Sequence, residues 1–285
     1  MTSNKINIPE DFNYIAVFLS LACNMNCSYC INHHLSNASN KKMMSGKEWS
    51  QGLNRIISRS DLPLTLQGGE PTLHKEFYDI VNNVERNLEI DLLTNLESDI
   101  HVFMDNIAPG RLKRDAHYAS IRVSYHPEEM DLNLLVDKVS VMLQRGYSIG
   151  VWAVEHPHCM ESIEKARDLC EARGIDFRTK EFLGLYNGML YGKYKYPDAV
   201  TGQERKTVMC ESSELIIGPS GDIFRCHHDL YQDMKPIGHI LDGDFQIKKE
   251  FLTCHNFGNC NPCDIKIKTN RFQVFGHTSV EIKLI

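Results

Sequence analysis

Apolar strand-like runs alternate with amphipathic helical stretches along the first two thirds of the chain. The first run, Tyr14–Ser20, has no polar alternation, which is typical of a strand buried on both faces. The clearest helix runs from Leu132 to Leu143 and is followed by Gly146, a residue that suits a helix C-cap. The whole pattern predicts six strands, at Tyr14–Ser20, Leu62–Leu66, Ile90–Thr94, Tyr118–Ser124, Tyr147–Val154 and Ile175–Phe182.

Six strand–helix units in a row predict a parallel sheet with right-handed crossovers. Either a doubly wound sheet or a barrel fits this order, and both place functional sites at the carboxyl ends of the strands. Polar and reactive residues follow each predicted strand end, so we expect them to converge on one rim. They are Cys23, Cys27, Cys30, Gln67, Gly68, Gly69, Glu70, Thr94, Asn95, Ser124, His126, Glu155, His156, His158, Cys159, Lys180 and Glu181.

The periodic pattern ends after Leu183. The stretch 184–209 is rich in tyrosine and glycine and is predicted to be a connector lying over the rim. Two short strand runs follow, Glu214–Ile217 and Asp222–Phe224. The turn-forming residues Pro219–Gly221 lie between them, so the pattern predicts a β-hairpin.

Composition narrows the class of protein. The chain has 285 residues, of which 42 % are hydrophobic and 24 % charged, so it is expected to fold around a sizeable core. A net charge of −6 argues against a general nucleic-acid or anionic-membrane binder. Residues 1–9 are polar, unlike a secretory signal, and no apolar run is long enough to span a membrane. We therefore expect a cytoplasmic protein without nucleic-acid or membrane partners, in which cysteines stay reduced.

Three of the ten cysteines, Cys23, Cys27 and Cys30, form a C-x3-C-x2-C cluster that predicts soft-metal binding. No fourth cysteine lies nearby in the sequence. A structural zinc site would need another ligand, which His33 or His34 could supply. The alternative is an iron–sulfur cubane with one iron left open to an exogenous ligand.

Two segments carry a family resemblance. Residues 19–30, LSLACNMNCSYC, resemble the signature of the radical S-adenosylmethionine (SAM) superfamily, in which an aromatic residue often precedes the last cysteine. The GGEP sequence at 68–71 is similar to that family's Gly-Gly-Glu motif. The resemblance covers about 12–183 and implies a partial (β/α)6 barrel that binds a [4Fe–4S] cluster through Cys23, Cys27 and Cys30, together with SAM.

The resemblance also implies roles for other residues. Gly68, Gly69 and Glu70 would bind the ammonium of the SAM methionine, since glycine backbones allow close approach and a carboxylate gives a charge-assisted hydrogen bond. Ser124 matches the position that often meets the ribose, although a serine at a strand end has many ordinary explanations. Tyr29 would pack near the adenine, or it could simply fill the core. Reductive cleavage of SAM would need an electron donor such as flavodoxin or ferredoxin.

A second cysteine group lies in the last third of the chain: Cys210, Cys226, Cys254, Cys260 and Cys263. It is similar to the twitch domain, a shortened SPASM-like extension behind many radical-SAM barrels, and implies an auxiliary [4Fe–4S] cluster. Four ligands are needed; Cys210, Cys226, Cys260 and Cys263 fit the pattern best and Cys254 is the uncertain one. A zinc site is the alternative, with His227 or His228 as a ligand.

The fold class expected is therefore α/β, a partial (β/α)6 barrel with a small C-terminal β-hairpin-plus-helix iron–sulfur domain. The barrel is placed at 1–183 and the connector at 184–209. The twitch domain is placed at 210–265 and a C-terminal tail at 266–285.

Three functions fit the sequence. The first is a radical-SAM oxidoreductase or epimerase that abstracts hydrogen from a small polar substrate, such as a sugar or a metabolite. In an epimerase Cys159 could donate the returning hydrogen atom, although an inert buried thiol is the plainer interpretation. Cys170 lies on the apolar side of a helix and is expected in the core.

The second function is a peptide-modifying radical enzyme, which is less favoured because no separate recognition module precedes Tyr14. The third is a non-catalytic zinc-binding protein.

Overall fold

The computed structural model describes residues 4–31, 42–202, 205–268 and 277–285. The strands of these residues are β1 (Ile6–Asn7), β2 (Tyr14–Ser20), β3 (Ile56–Ile57), β4 (Leu64–Gly68), β5 (Ile90–Thr94), β6 (Ile121–Tyr125), β7 (Ile149–Glu155), β8 (Phe177–Glu181), β9 (Gly184–Tyr186), β10 (Met189–Tyr191), β11 (Lys206–Ser212), β12 (Glu214–Ile217), β13 (Asp222–Phe224), β14 (Gly238–His239), β15 (Leu252–Phe257) and β16 (Val280–Leu284).

The helices are α1 (Gly46–Leu53), α2 (Phe77–Asn83), α3 (Ile100–Asn106), α4 (Leu132–Gln144), α5 (Met160–Ala172), α6 (His227–Tyr231) and α7 (Pro262–Ile265). Local chemistry sets several of their ends. Ser45 and Glu48 form a capping box at the start of α1. Asp131 accepts a hydrogen bond from the Leu134 amide at the start of α4. Gly146 follows α4 with a φ of 87°, as expected for a C-cap. None of the helices described has the length and apolar composition needed to cross a membrane.

The main sheet has nine strands in the order β14-β13-β12-β2-β4-β5-β6-β7-β8. The last six of these correspond to the six predicted strands, with boundaries shifted by a few residues. All neighbours among them are parallel and lie in chain order. A doubly wound sheet would reverse its order within this set. The observed order follows the chain without such a reversal.

Strand β2 is buried on both faces, which explains its unbroken apolar run. Ile15, Val17 and Leu19 belong to the main core, which also contains the buried side of α1 to α5. Ala16 and Phe18 point to the opposite face, where they pack in a separate cluster with residues of β12, β13 and α6. Side chains therefore alternate between two apolar environments rather than between core and solvent.

The predicted hairpin forms, with Ile216 opposite Phe224 in β12 and β13. Strand β12 also pairs in parallel with β2, so that Ile217 lies beside Val17. The hairpin thus covers the edge that β2 would otherwise expose, and it continues the main sheet instead of standing apart. The sequence pattern indicates that β12 pairs with β13. It carries no signal for the pairing of β12 with β2.

A second, three-stranded sheet has the order β15-β11-β16 and is antiparallel. It encloses a small core that contains Val208, Phe257, Ile265 and three cysteines. Cys210, Cys226 and Cys254 are these three cysteines, and Cys260 packs against the same core.

A buried charge cluster lies on the face of the main sheet opposite its helices. The Asp91 carboxylate on β5 is fully buried and accepts from Arg114 Nε at 2.7 Å and Nη2 at 3.0 Å. Arg122 Nη2 on β6 donates to the same carboxylate at 3.1 Å. Both guanidinium groups also lie over the ring of Tyr118. Two buried cations therefore share one carboxylate as their counter-ion.

Replacing Asp91 with Asn should lower the free energy of unfolding by about 3–5 kcal/mol, because both guanidinium groups would lose their buried counter-ion. The matched control is Asp137→Asn, since Asp137 pairs with Arg173 at 3.2 Å on the exposed surface; that change should cost less than about 1 kcal/mol. Urea unfolding followed by circular dichroism measures both. Equal, small losses in the two variants would contradict the role given to Asp91.

Candidate functional site

The loop that carries the first three cysteines begins where β2 ends, and its first turn is fixed by backbone contact with the end of β4. The Gly69 amide donates to the Ser20 carbonyl at 2.9 Å, and the Glu70 amide donates to the Ala22 carbonyl at 2.8 Å. A Cβ atom would lie 2.1 Å from the Ala22 oxygen at Gly69 and 1.9 Å from the Ser20 oxygen at Gly68. Only glycine fits at these two positions, because any side chain would push the cysteine loop away.

The Glu70 carboxylate ties this contact to the next strand. Its Oε1 accepts from the Thr72 amide at 3.0 Å, the Thr72 hydroxyl at 2.6 Å and the Thr94 hydroxyl at 2.9 Å. Its Oε2 accepts from the Asn95 amide at 2.7 Å. Burial raises the pKa of Glu70, and these four donors offset part of that effect. The side chain is 1 % exposed, so it acts as a buried link between the ends of β4 and β5.

The ends of β5 and β6 hold the rest of the cysteine loop. Asn95 donates from Nδ2 to the Asn24 side-chain oxygen at 2.7 Å, beside the Cys23 sulfur at 3.9 Å. The Ser28 amide and hydroxyl both donate to the Glu128 carboxylate, at 2.8 and 2.7 Å. These bonds lower the pKa of Glu128, which keeps its carboxylate ionised.

Tyr29 anchors the loop to two histidines of the rim. Its hydroxyl is hydrogen-bonded to His126 Nδ1 at 3.3 Å. Its ring stacks on His156, with centroids 5.0 Å apart and an interplanar angle of 18°. Burial lowers the pKa of both histidines, so both are neutral at pH 7.

The predicted connector contributes rings to the same place. Tyr186, on the hairpin formed by β9 and β10, packs edge-on against His156 at 4.7 Å. Phe182, which lies just before the connector region, also packs edge-on against His156, with ring centroids 4.6 Å apart. Tyr191 lies against Phe182 and Tyr186. An aromatic wall therefore stands on one side of the cysteine loop.

The three thiols on this loop lie close enough to affect one another. Burial, followed by the neighbouring Cys30 thiol, Glu129 and the Cys23 thiol, raises the pKa of Cys27 to about 12. None of the ten cysteines, all of which lie in described segments, forms a disulfide. Three thiols on one short loop are a donor set that suits an iron–sulfur cluster. The proposed zinc ligands His33 and His34 lie outside the described residues.

The second cysteine group is assembled from both sheets. Val208 pairs with Cys254 and Cys210 with Leu252 across β11 and β15, so Cys210 and Cys254 are diagonal neighbours on one face. Cys226 follows β13 at the start of α6. The Cys260 amide donates to the Ala199 carbonyl at 2.8 Å. These four cysteines line one cavity together with Arg225, His228, Asp229 and Asp264.

Cys263 is placed differently. It lies in the short helix α7, where its amide donates to the Asn261 side chain at 2.9 Å, and the described lining of the four-cysteine cavity does not include it. Of the two histidines considered for zinc, His228 lines the cavity, whereas His227 Nδ1 is bonded to Asp264 at 2.8 Å. Among the residues that the structure describes, no group of three or more His, Cys, Asp or Glu side chains could hold a single metal ion.

The remaining expected residues lie as follows. Ser124 is half-buried on β6, beside Trp152 of β7. Cys159 is 4 % exposed and belongs to the main core, a position that favours the plainer interpretation of an inert buried thiol. Cys170 is fully buried on α5, which confirms its expected place in the core.

Sequence reasoning missed several residues that shape the two sites. The anchoring role of Glu128 has no motif of its own, because the contact spans 100 residues of sequence. The paired charges of Arg225 and Asp229 are visible as an i, i+4 pair, but only the fold places them beside the cysteines. Cys254 also lines the cavity and Cys263 does not, whereas the resemblance to the twitch domain implied Cys263 and left Cys254 uncertain.

The first part of the chain is similar in sequence to known proteins. A family model described as a 4Fe-4S single cluster domain matches residues 14–97, which include the cysteine loop and the Gly-Gly-Glu sequence. The GTP 3',8-cyclase of Agrobacterium fabrum is 26 % identical over 100 residues, which are 34 % of this chain and 29 % of the cyclase. The probable GTP 3',8-cyclase of Methanopyrus kandleri is 28 % identical over 88 residues, 31 % of this chain and 28 % of that protein.

Solved structures extend the likeness in fold. SuiB of Streptococcus suis bound to its precursor peptide SuiA has a TM-score of 0.56 at 14 % identity; the match covers 85 % of this chain and 64 % of SuiB. The anSMEcpe protein with bound AdoMet also has a TM-score of 0.56 at 14 % identity, with 81 % of this chain and 78 % of that chain covered. This chain thus spans less than two thirds of the length of SuiB.

Replacing Gly69 with Ala should lower the free energy of unfolding by about 1–3 kcal/mol, because the added Cβ collides with the Ala22 carbonyl. It should also speed alkylation of the buried Cys27 thiol as the loop moves outward. Gly110→Ala is the control, since no atom lies within 4 Å of the added Cβ there. Urea unfolding and mass-spectrometric thiol labelling measure the two effects. A Gly69 variant that matched the control in both would refute the proposed constraint.

Proposed function

We propose that the chain, which resembles the radical SAM family in its cysteine loop and its Gly-Gly-Glu sequence, cleaves SAM reductively and uses the resulting radical to abstract hydrogen from a small polar substrate, in an oxidation or an epimerisation. One observation carries the proposal. Three thiols share a short loop at the carboxyl end of the first parallel strand, and groups from the next strand ends hold that loop. We place this site on a partial (β/α)6 barrel at 1–183.

Cys23, Cys27 and Cys30 would hold the [4Fe–4S] cluster and leave one iron open for the amino and carboxylate groups of SAM. When bound, such a cluster would supply the single electron that reductive cleavage of SAM requires. The chain's own contribution is to keep the three thiols together, which the bonds from Asn95 and Glu128 achieve.

Gly68, Gly69 and Glu70 would receive the methionine ammonium, and the structure supports a division of labour among them. The Glu70 carboxylate already accepts four hydrogen bonds that link β4 to β5. We therefore assign the ammonium mainly to the backbone carbonyls of the glycines, with Glu70 holding those carbonyls in place. Absence of a Cβ lets the methionine approach the backbone closely.

Tyr29 and Ser124 would border the rest of SAM, near the adenine and the ribose. The ring stack of Tyr29 on His156, closed by Tyr186, provides a wall that excludes water from a reactive radical. His126 and His156 are the proton acceptors that oxidation of a substrate radical needs, because both imidazoles are neutral at pH 7. Cys159 remains the proposed hydrogen-atom donor for the epimerase branch.

An auxiliary [4Fe–4S] cluster would lie between the two sheets, in a twitch domain at 210–265. The connector at 184–209 would precede this domain, and the tail at 266–285 would follow it. Cys210, Cys226, Cys254 and Cys260 line one cavity, so we assign these four as its ligands. Cys263 is then the surplus thiol. Such a cluster beside the substrate would accept or relay the electron of a substrate radical.

A peptide substrate is the second candidate function. It is supported by the likeness in fold to SuiB, whose structure holds its precursor peptide SuiA. Transfer of deuterium into 5′-deoxyadenosine from labelled small molecules or from labelled peptides separates the two substrate classes. We further propose a flavodoxin or ferredoxin as electron donor and a cytoplasmic location, which keeps such thiolates reduced.

Replacing Cys27 with Ala should abolish the formation of 5′-deoxyadenosine from SAM and dithionite, because two thiolates cannot hold the cluster. Liquid chromatography of the quenched reaction measures the product. Cys159→Ala is the control: it removes another strand-end thiol and should keep product formation, while stopping inversion if Cys159 is the donor. Continued formation of 5′-deoxyadenosine by the Cys27 variant would rule out the assignment.

Cys254→Ala should lose about four iron atoms per chain after anaerobic reconstitution, whereas Cys263→Ala should keep them. The reason is that Cys254 lines the four-cysteine cavity and Cys263 does not. Iron, sulfide and zinc analysis measures the outcome. Loss of iron from the Cys263 variant alone would return Cys263 to the ligand set, and stoichiometric zinc without sulfide would identify a zinc protein.

A further inference from the structure

A buried arginine forms part of the wall of the four-cysteine cavity. Arg225 directly precedes Cys226, and its side chain is only 13 % exposed. Arg225 lines the cavity together with Cys210, Cys254 and Cys260. A cation that is largely removed from water depends on neighbouring polar and charged groups for its stabilisation. Because solvent screens its charge only weakly, it also has a strong electrostatic effect on those groups.

Two contacts fix the guanidinium across the junction of the sheets. Nη2 lies 2.9 Å from the Asp229 carboxylate, one turn further along α6. Nη1 donates to the carbonyl of Thr253 at 3.0 Å. Thr253 directly precedes Cys254 on β15, so Arg225 connects the backbone beside one cavity cysteine to the helix that begins at Cys226.

The charges that line the cavity are few. Asp264 also lines it, but its carboxylate accepts from the His227 amide and ring at 2.9 and 2.8 Å and from the His228 amide at 3.1 Å. Three donors at the start of α6 thus offset that negative charge. Among the described residues that line the cavity, Arg225 and Asp229 remain as the one cation and one anion. The electrostatic potential in the cavity therefore depends on the balance of their charges.

We propose that the Arg225–Asp229 pair sets the reduction potential of the auxiliary cluster, with Arg225 as a positioning and tuning residue rather than a ligand. The inference rests on the proposed function, since it requires a cluster in this cavity. A cluster held by four thiolates is anionic and gains one further negative charge on reduction. A buried cation therefore favours the reduced state, and a buried anion favours the oxidised state.

The pair allows a test with opposite signs. Arg225→Gln removes the cation but keeps a hydrogen-bond donor, and it should shift the midpoint potential in the negative direction. Asp229→Asn removes the anion and should shift it in the positive direction. Arg225→Lys keeps the charge and should return the potential to nearly that of the parent, which a purely structural role would not explain.

The measurement is a redox titration followed by electron paramagnetic resonance. It uses the full chain with Cys23, Cys27 and Cys30 replaced by Ala, so that only the auxiliary cluster contributes. At a potential equal to the parent midpoint, each charge-removing variant should change the ratio of reduced to oxidised cluster at least about fivefold, in opposite directions. Iron and sulfide are counted for every variant.

The failures are distinguishable. A parent that binds no iron, or binds zinc, overturns the auxiliary cluster and this inference with it. A parent with about four irons whose Arg225→Gln and Asp229→Asn variants shift in the same direction, or not at all, overturns only the tuning role. Loss of iron from both Arg225→Gln and Arg225→Lys would likewise replace that role with a structural one.

Discussion

The close backbone contact between the end of β4 and the start of the cysteine loop is the constraint on which the candidate site depends. It works only because Gly68 and Gly69 have no Cβ, which lets the chain pass within hydrogen-bond distance of Ser20 and Ala22. The buried Glu70 then locks this contact to β5 through Thr94 and Asn95. The position of the three thiols is thus set by the packed ends of β4 and β5, which are stiffer than a free loop.

Strand β2 connects the two cysteine groups. On one side it pairs with β4 and leads into the first cysteine loop. On the other side it pairs with β12, whose hairpin leads to Cys226. One strand therefore fixes the placement of both groups, and any shift in its register would move both. This explains how a compact chain can hold two proposed clusters in a defined relation, as an electron relay between them would require.

Much of this arrangement is visible in the sequence. The alternation of strand-like and helical runs predicted all six parallel strands and the hairpin of β12 and β13. The signal is clearest for β2, which is buried on both faces and has an unbroken apolar run. The cysteine and glycine motifs indicated the first site because they are local. Long-range contacts left no local signal: the pairing of β12 with β2, the bond from Glu128 to Ser28, and the choice of Cys254 over Cys263 at the cavity.

The central claim is that the loop of Cys23, Cys27 and Cys30 holds a cluster with one iron open to SAM. Mössbauer spectra of the wild-type chain, reconstituted with enriched iron and recorded with and without SAM, test it most directly. We expect about eight irons in two clusters, with SAM changing the isomer shift of a single iron site. Spectra that SAM leaves unchanged, or a chain that binds zinc in place of iron, would contradict it.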